Sequence, residues 1–137
     1  MRVEIQTPLP PTVNHYYRNA AVPVRNATTG KIGIVRKRVL SDRAEAWMQG
    51  SALMARCALR VAGWVIPEAG DKVVVEIRVA WPDNRCRDMS NLHKAIADVL
   101  EGIAYVDDRY ALLRDMDYRV SPRNPGLFLT VRPFAND

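Results

Sequence analysis

Residues 72–108 read KVVVEIRVAWPDNRCRDMSNLHKAIADVLEGIAYVDD, a strand-length run followed by a helix-length one, and the change of period between them decides the fold. Lys72 to Ala80 puts Val73, Val75, Ile77 and Val79 on one face, with Lys72, Glu76 and Arg78 among those opposite, as a half-buried strand requires. Trp81-Pro82 ends that run and a loop from Asp83 to Arg87 follows. From about Met89 to Glu101 the period becomes helical. Leu92, Ala95 or Ile96, and Val99 form a buried stripe, while Asn91, Lys94 and Asp98 stack along another at i, i+3, i+7. Gly102 closes the helix. Asp88 is thereby placed just past a strand end and at a helix start, where catalytic groups are commonly mounted.

Working outward, Val3 to Thr7 alternates as a short first strand, and Pro8, Pro10 and Pro11 then impose a stiff loop. Asn14-His15-Tyr16-Tyr17-Arg18 follows, a polar, aromatic and cationic group suited to phosphates or stacked bases, and equally suited to covering a core edge. From Ala21 to Leu40 two β-branched stretches flank Ala27-Thr28-Thr29-Gly30. That pattern predicts a hairpin whose second strand carries Arg36-Lys37-Arg38, placed to reach along DNA or to keep a strand edge solvated.

Ser41 or Asp42 caps the next element, in which Ala44, Trp47, Met48, Ser51, Met54, Ala55, Ala58 and Ala62 recur at helical spacing up to Gly63. Its Trp and Met stripe reads as a core face. Beyond Asp108, Leu112 to Val120 sets Met116, Tyr118 and Val120 against Asp115, Asp117 and Arg119. A turn over 122–126 and a run from Leu127 to Arg132 predict a C-terminal antiparallel hairpin. The sum is an α+β fold in one small domain spanning 1–137: a mixed sheet with two main helices packed against it.

At 137 residues and 48% hydrophobic content the chain suits one core. Its 20 Lys and Arg against 15 Asp and Glu give +5, a balance compatible with a polyanionic partner. No run approaches the roughly 18 apolar residues of a membrane span, and MRVEIQTPLPP lacks the apolar stretch of a signal peptide, so no membrane and a cytosolic location are expected. Cys57 on a helix and Cys86 in a loop form no framework, and with His15 and His93 they give no zinc spacing. Any metal must be a hard cation on oxygen ligands.

Carboxylates gathered in a basic chain point to that cation. Mg²⁺ in phosphodiester cleavage needs one or two carboxylates plus the substrate phosphate, which Asp88 and Asp108 can supply. Lys94 adds a point charge for the developing phosphoryl charge, and Asn91 can orient a water. Taken singly, Asp88 is also a helix cap, Lys94 and Asp98 an i, i+4 pair, and Asp107-Asp108 a turn. Spacing leaves open whether Asp107 or Asp108 reaches Asp88. His93 lies beside the polar stripe and reads as exposed or packing, not as a general base.

Asp88, Asn91, Lys94, Asp98, Leu100, Gly102, Asp107 and Asp108 occur in the order of the motif of the RusA family of Holliday junction resolvases. The opening Pro8-Leu9-Pro10-Pro11-Thr12-Val13-Asn14-His15-Tyr16-Tyr17-Arg18 is similar to that family's proline-rich start, and Leu40-Ser41 begins the first long helix in a similar place. The resemblance implies a RusA-like α+β homodimer, often phage- or prophage-encoded, that cuts four-way DNA junctions in pairs with Mg²⁺, Mn²⁺ substituting. A two-fold dimer presents two sites to two symmetry-related strands. On this resemblance Asp88 and Asp108 match metal-binding acids and Lys94 the catalytic lysine. Asp98 matches an acid that supports the site and Asp107 can stand in for Asp108 on the metal, so both count as candidate ligands; Asn14, Tyr17, Arg18, Arg36, Lys37, Arg38, Arg85, Arg87 and Asn91 are candidate DNA contacts.

The departure is Ser90, where the family pattern most often has a second Asp. Losing that carboxylate weakens Mg²⁺ binding unless Asp98, Asp107 or a water held by the Ser90 hydroxyl compensates. The alternative expectation is therefore a protein that binds junctions or branched DNA and cuts them weakly or not at all.

Overall fold

The computed structural model describes residues 1–135 apart from Cys86, and at Val13 and Asn14 the backbone alone. The expected loop position of Cys86 and DNA contact of Asn14 lie outside the described residues. In chain order the elements are β1 (Val3–Thr7), α1 (Val13–Tyr16), β2 (Tyr17–Arg25), β3 (Ile32–Leu40), α2 (Asp42–Val61), β4 (Val73–Trp81), α3 (His93–Leu100), β5 (Ala111–Val120) and β6 (Gly126–Pro133). Short 3₁₀ turns at Met89–Leu92 and Asp108–Tyr110 bracket α3.

β1, β6, β4 and β5 form one four-stranded sheet in that order, and among the described residues β2 pairs only with β3. The mixed α+β architecture read from the sequence stands, but the C-terminal hairpin does not. β6 runs antiparallel to β4 and β1, whereas β5 lies parallel to β4 on its other side. The burial of the strands gives the reason. β4 is apolar on both faces and belongs in the sheet interior, while β5 is exposed from Asp115 to Val120 and suits an edge. The connection through α3 then makes β5 parallel to β4. Where β6 enters the sheet, the position of a side chain on Gly126 would be only 3.1 Å from the Thr7 carbonyl, so a residue with a Cβ would have to push β1 away.

The half-buried reading of β4 also needs correcting. Glu76, expected in water, is 6% exposed and lies on the sheet face opposite Val75 and Ile77. Arg2 Nη2 donates to its Oε1 at 2.6 Å, and Arg132 Nε lies 3.7 Å from the same oxygen. Long cationic side chains, Arg132 from the neighbouring β6 and Arg2 from just before β1, thus cover the charge. A register shift between Ile77 and Arg78 pairs Ile77 with Asp115 and Arg78 with Asp117. The alternation expected along β5 is broken at Met116 by this bulge, which sets Asp115 on the same face as Tyr118.

Both long helices cover one face of the sheet. Ala55 and Leu59 of α2 and Ile96, Val99 and Leu100 of α3 pack with Val3, Ile5, Val75, Ile77, Leu129 and Val131. Leu100 is fully buried, so its truncation to Ala would cost about 2–5 kcal/mol. Ser41 caps α2 by accepting from the Ala44 N–H at 3.1 Å, and its hydroxyl donates to the His15 carbonyl at 2.6 Å. Trp47 Nε1 donates to the Pro8 carbonyl at 2.8 Å, which fastens the proline segment to α2. Trp64 Nε1 donates to the Ala104 carbonyl at 3.0 Å and ties the end of α2 to the turn after α3. No helix among the described residues is long and apolar enough to cross a membrane.

Candidate nuclease site

The predicted helix from Met89 to Glu101 starts as a tight 3₁₀ turn and becomes α-helical at His93. Such tightening is common where the first N–H groups lack helical partners. Asp88 caps the turn: its Oδ1 accepts from the Ser90 N–H at 3.0 Å. That bond and the Ser90 hydroxyl hold the Asp88 carboxyl below the usual carboxylate range, with His93 adding to the effect. Ser90 therefore supports the ionised Asp88 with two donors where a second carboxylate would oppose it.

In the first turn of α3, Lys94 Nζ donates to Asp98 Oδ1 at 3.0 Å. The bond to Asp98 raises the lysine pKa, and the charges of Asp108 and Tyr17 act in the same direction. Beside the ammonium is a hollow of about 240 Å³, lined by Pro10, Pro11, Tyr16 and Tyr17 on one side and by Ser90, Asn91, Lys94 and Ala95 on the other. Tyr16 is buried here, and burial pushes its hydroxyl up to about 12. Its ring meets those of Tyr17 and Trp47 edge-on, at 5.0 and 6.4 Å, so the core-edge reading holds for Tyr16 while Tyr17 faces the hollow.

Past α3 the chain reverses through Gly102, whose φ of +76° suits glycine. The Gly102 N–H donates to the Tyr105 carbonyl at 2.8 Å, and the buried Tyr105 hydroxyl donates to the Ala97 carbonyl at 2.7 Å. Burial raises the pKa of that hydroxyl, and the nearby charges of Asp108, Glu101 and Asp98 raise it further. Asp107 caps the second 3₁₀ turn by accepting from the Arg109 N–H at 3.0 Å, which holds its carboxyl low. The reversal brings carboxylate oxygens of Glu101, Asp107 and Asp108 within 4.8 Å of one another.

Of the predicted acids, Asp107 and Asp108 meet, while Asp98 pairs with Lys94. Asp88 lies outside that group, held at the other end of the helix by its cap. Glu101 was not anticipated. Its signal was its place as the last helical acid before Gly102, where a reversal returns the chain past it. Among the cations, Arg87 Nη2 lies 2.7 Å from Asp83 Oδ1 with its guanidinium over the Trp81 ring, whereas Arg85 remains largely exposed. Arg18, Arg36, Lys37 and Arg38 are exposed on the hairpin, Arg38 being 4.3 Å from the centre of the Tyr17 ring. His93 Nε2 is 2.7 Å from Asp115 Oδ1, on the side of α3 away from the hollow.

A family model described as Endodeoxyribonuclease RusA matches residues 8–132 of the chain. No curated protein matches it.

Proposed function

The chain belongs to the RusA endodeoxyribonuclease family, and from that premise we propose that residues 1–137 form one metal-dependent nuclease domain that hydrolyses phosphodiesters at four-way or branched DNA. The observation that carries this is the gathering of the Glu101, Asp107 and Asp108 carboxylates within 4.8 Å of one another, just past the helix on which Lys94 pairs with Asp98. Oxygen-only donors at that separation fit a hard divalent cation, Mg²⁺ with Mn²⁺ substituting. Bound there, the cation supplies Lewis-acid polarisation of the phosphoryl oxygens and a more acidic water.

The chain's own residues do the rest. Asp108, Asp107 and Glu101 would hold the cation, and Asp88, outside that group, would supply a further carboxylate to the phosphate's side from the start of the helix. Lys94 places a positive charge on the phosphate, strengthened by being fixed in direction by Asp98. Asn91 orients a water or a phosphate oxygen without adding charge. Arg18, Arg36, Lys37, Arg38 and Arg85 neutralise the flanking phosphates, with Tyr17 at their root. Two copies related by a two-fold axis would present two such sites to the two strands that must be cut.

A labelled synthetic four-way junction with Mg²⁺ tests the proposal: paired nicks at symmetric positions are expected, and cleavage no greater than that of Asp88→Asn rejects it. Ser90 favours a second reading, a junction-binding protein with weak cleavage, because the Asp88 carboxylate has hydroxyl support and no second acid beside it.

A further inference from the structure

β2 and β3 form an arm that no other strand among the described residues supports. An isolated two-stranded hairpin is marginal in water, so an exposed one is stabilised by what it binds. Nine residues per strand give it a length of about 30 Å. Of the 20 Lys and Arg of the chain, six lie between Tyr17 and Leu40 (Arg18, Arg25, Lys31, Arg36, Lys37, Arg38), with none of the 15 Asp and Glu; the rest therefore carries 14 cations against 15 acids, −1 net. The whole basic excess of the protein sits on the arm. A second arm would be repelled by it, and a polyanion attracted.

The register separates two chemistries along its length. Near the root, Arg18 pairs with Val39, Asn19 with Arg38, Ala20 with Lys37 and Ala21 with Arg36. Farther out, Val22 pairs with Val35, Pro23 with Ile34 and Val24 with Gly33. Pro23, Ile34 and Ile32 lie on one face, and Val22, Val35 and Val24 on the other. Ile34 is 77% exposed, Ile32 66% and Val35 45%, so both faces of the outer half carry open apolar side chains, with Arg25, paired with Ile32 at the outer end, the one cation among these strand positions.

A ribbon lying in the groove of an intact duplex meets bases with one face and finds little apolar surface beyond thymine methyls. A blade apolar on both faces matches insertion between two base surfaces. We propose that the outer half of the arm is a wedge that enters the branch point of DNA and packs against opened bases, while the root cations hold the phosphates leading to Lys94. This rests on reading the site as a branched-DNA nuclease and assigns its selectivity to residues outside the site.

The test is anisotropy titration of a four-way junction and of a linear duplex of equal length, using the full chain with Ca²⁺ replacing Mg²⁺. Wild type is compared with Ile32→Ser/Ile34→Ser/Val35→Ser and with Arg36→Gln/Lys37→Gln/Arg38→Gln. The serine variant should lose about 10-fold on the junction and little on the duplex, with the salt slope unchanged. The glutamine variant should weaken both substrates alike and flatten the salt slope by about three. 2-Aminopurine at the branch should brighten with wild type and not with the serine variant. Neither substitution set touches the core, so unchanged melting confirms that the body is folded. Wild-type preference for the junction retained in full by the serine variant overturns the wedge alone. No junction preference in wild type overturns both the wedge and the branched-DNA reading. A serine variant whose only change is in self-association assigns the outer half to a second copy and overturns the wedge.

Discussion

Lys94 Nζ and Asp98 Oδ1 are 3.0 Å apart on successive turns of α3, and the charge of Asp108 adds to that of Asp98 in raising the lysine pKa. Asp98 keeps the lysine charged and pointed. Because its pKa is raised, Lys94 keeps its charge to higher pH than an unpaired lysine, so loss of cleavage from its deprotonation should begin only at higher pH than in a protein without the pair. Lys94→Met should slow single-turnover cleavage about 100-fold or more with junction affinity little changed. Asp98→Asn should slow it less, and an alkaline limb should then move to lower pH. A pH–rate profile with the same limb in both proteins would show that Asp98 does not act through Lys94.

The Tyr105 hydroxyl anchors the reversal that carries Asp107 and Asp108, through its bond to the Ala97 carbonyl. Tyr105→Phe leaves that carbonyl unpaired in the core and should destabilise the protein by about 1–3 kcal/mol. It should also weaken Mn²⁺ binding measured by electron paramagnetic resonance. Loss of stability with Mn²⁺ affinity intact would mean that the turn positions nothing.

Three carboxyls are held low by local N–H donors: Asp83 by Arg85, with further help from Arg87, Asp88 by Ser90, and Asp107 by Arg109. For a group whose folded pKa is depressed, the stabilisation is present above the unfolded value and is lost as pH falls through the folded one. Stability should therefore drop as pH falls below about 3.9. Asp107→Asn should make that acid limb shallower in thermal melts recorded across this range. An unchanged limb would show that the cap contributes nothing to the folded state.

Ser90→Asp sets a second carboxylate against Asp88 in place of a hydroxyl donor. Without metal the two charges repel, so the variant should be less stable than wild type above pH 5 or so. With Mg²⁺ the order should narrow or reverse, and calorimetric affinity for Mg²⁺ should rise. Equal Mg²⁺ affinity in the two proteins would remove Ser90 as the weak point of the site.

The elements were legible wherever the hydrophobic period was local. Val3–Thr7 and the long amphipathic helix up to Gly63 follow from alternation and caps within their own residues. The stripe of Leu92, Ile96 and Val99 buries as its spacing requires. Strand order was not legible, because the insertion of β6 beside β4 depends on long-range competition for the sheet centre that no short window contains. The same holds for Glu76: a charged residue on an alternating strand reads as solvated until Arg2 and Arg132 arrive from strands far away in sequence. In the site, spacing brought Asp107 and Asp108 to notice but not Glu101. That residue meets them only because a positive φ at Gly102 and the buried Tyr105 fold the chain back.

The central claim, that the acids beyond α3 form a nuclease centre with Lys94, is tested most directly by single-turnover cleavage of a four-way junction in Mg²⁺ by wild type and by Asp108→Asn. Wild type should introduce symmetric nicks, and Asp108→Asn should be slower by at least about 100-fold while binding the junction equally well in Ca²⁺. Cleavage by Asp108→Asn at the wild-type rate would contradict the account.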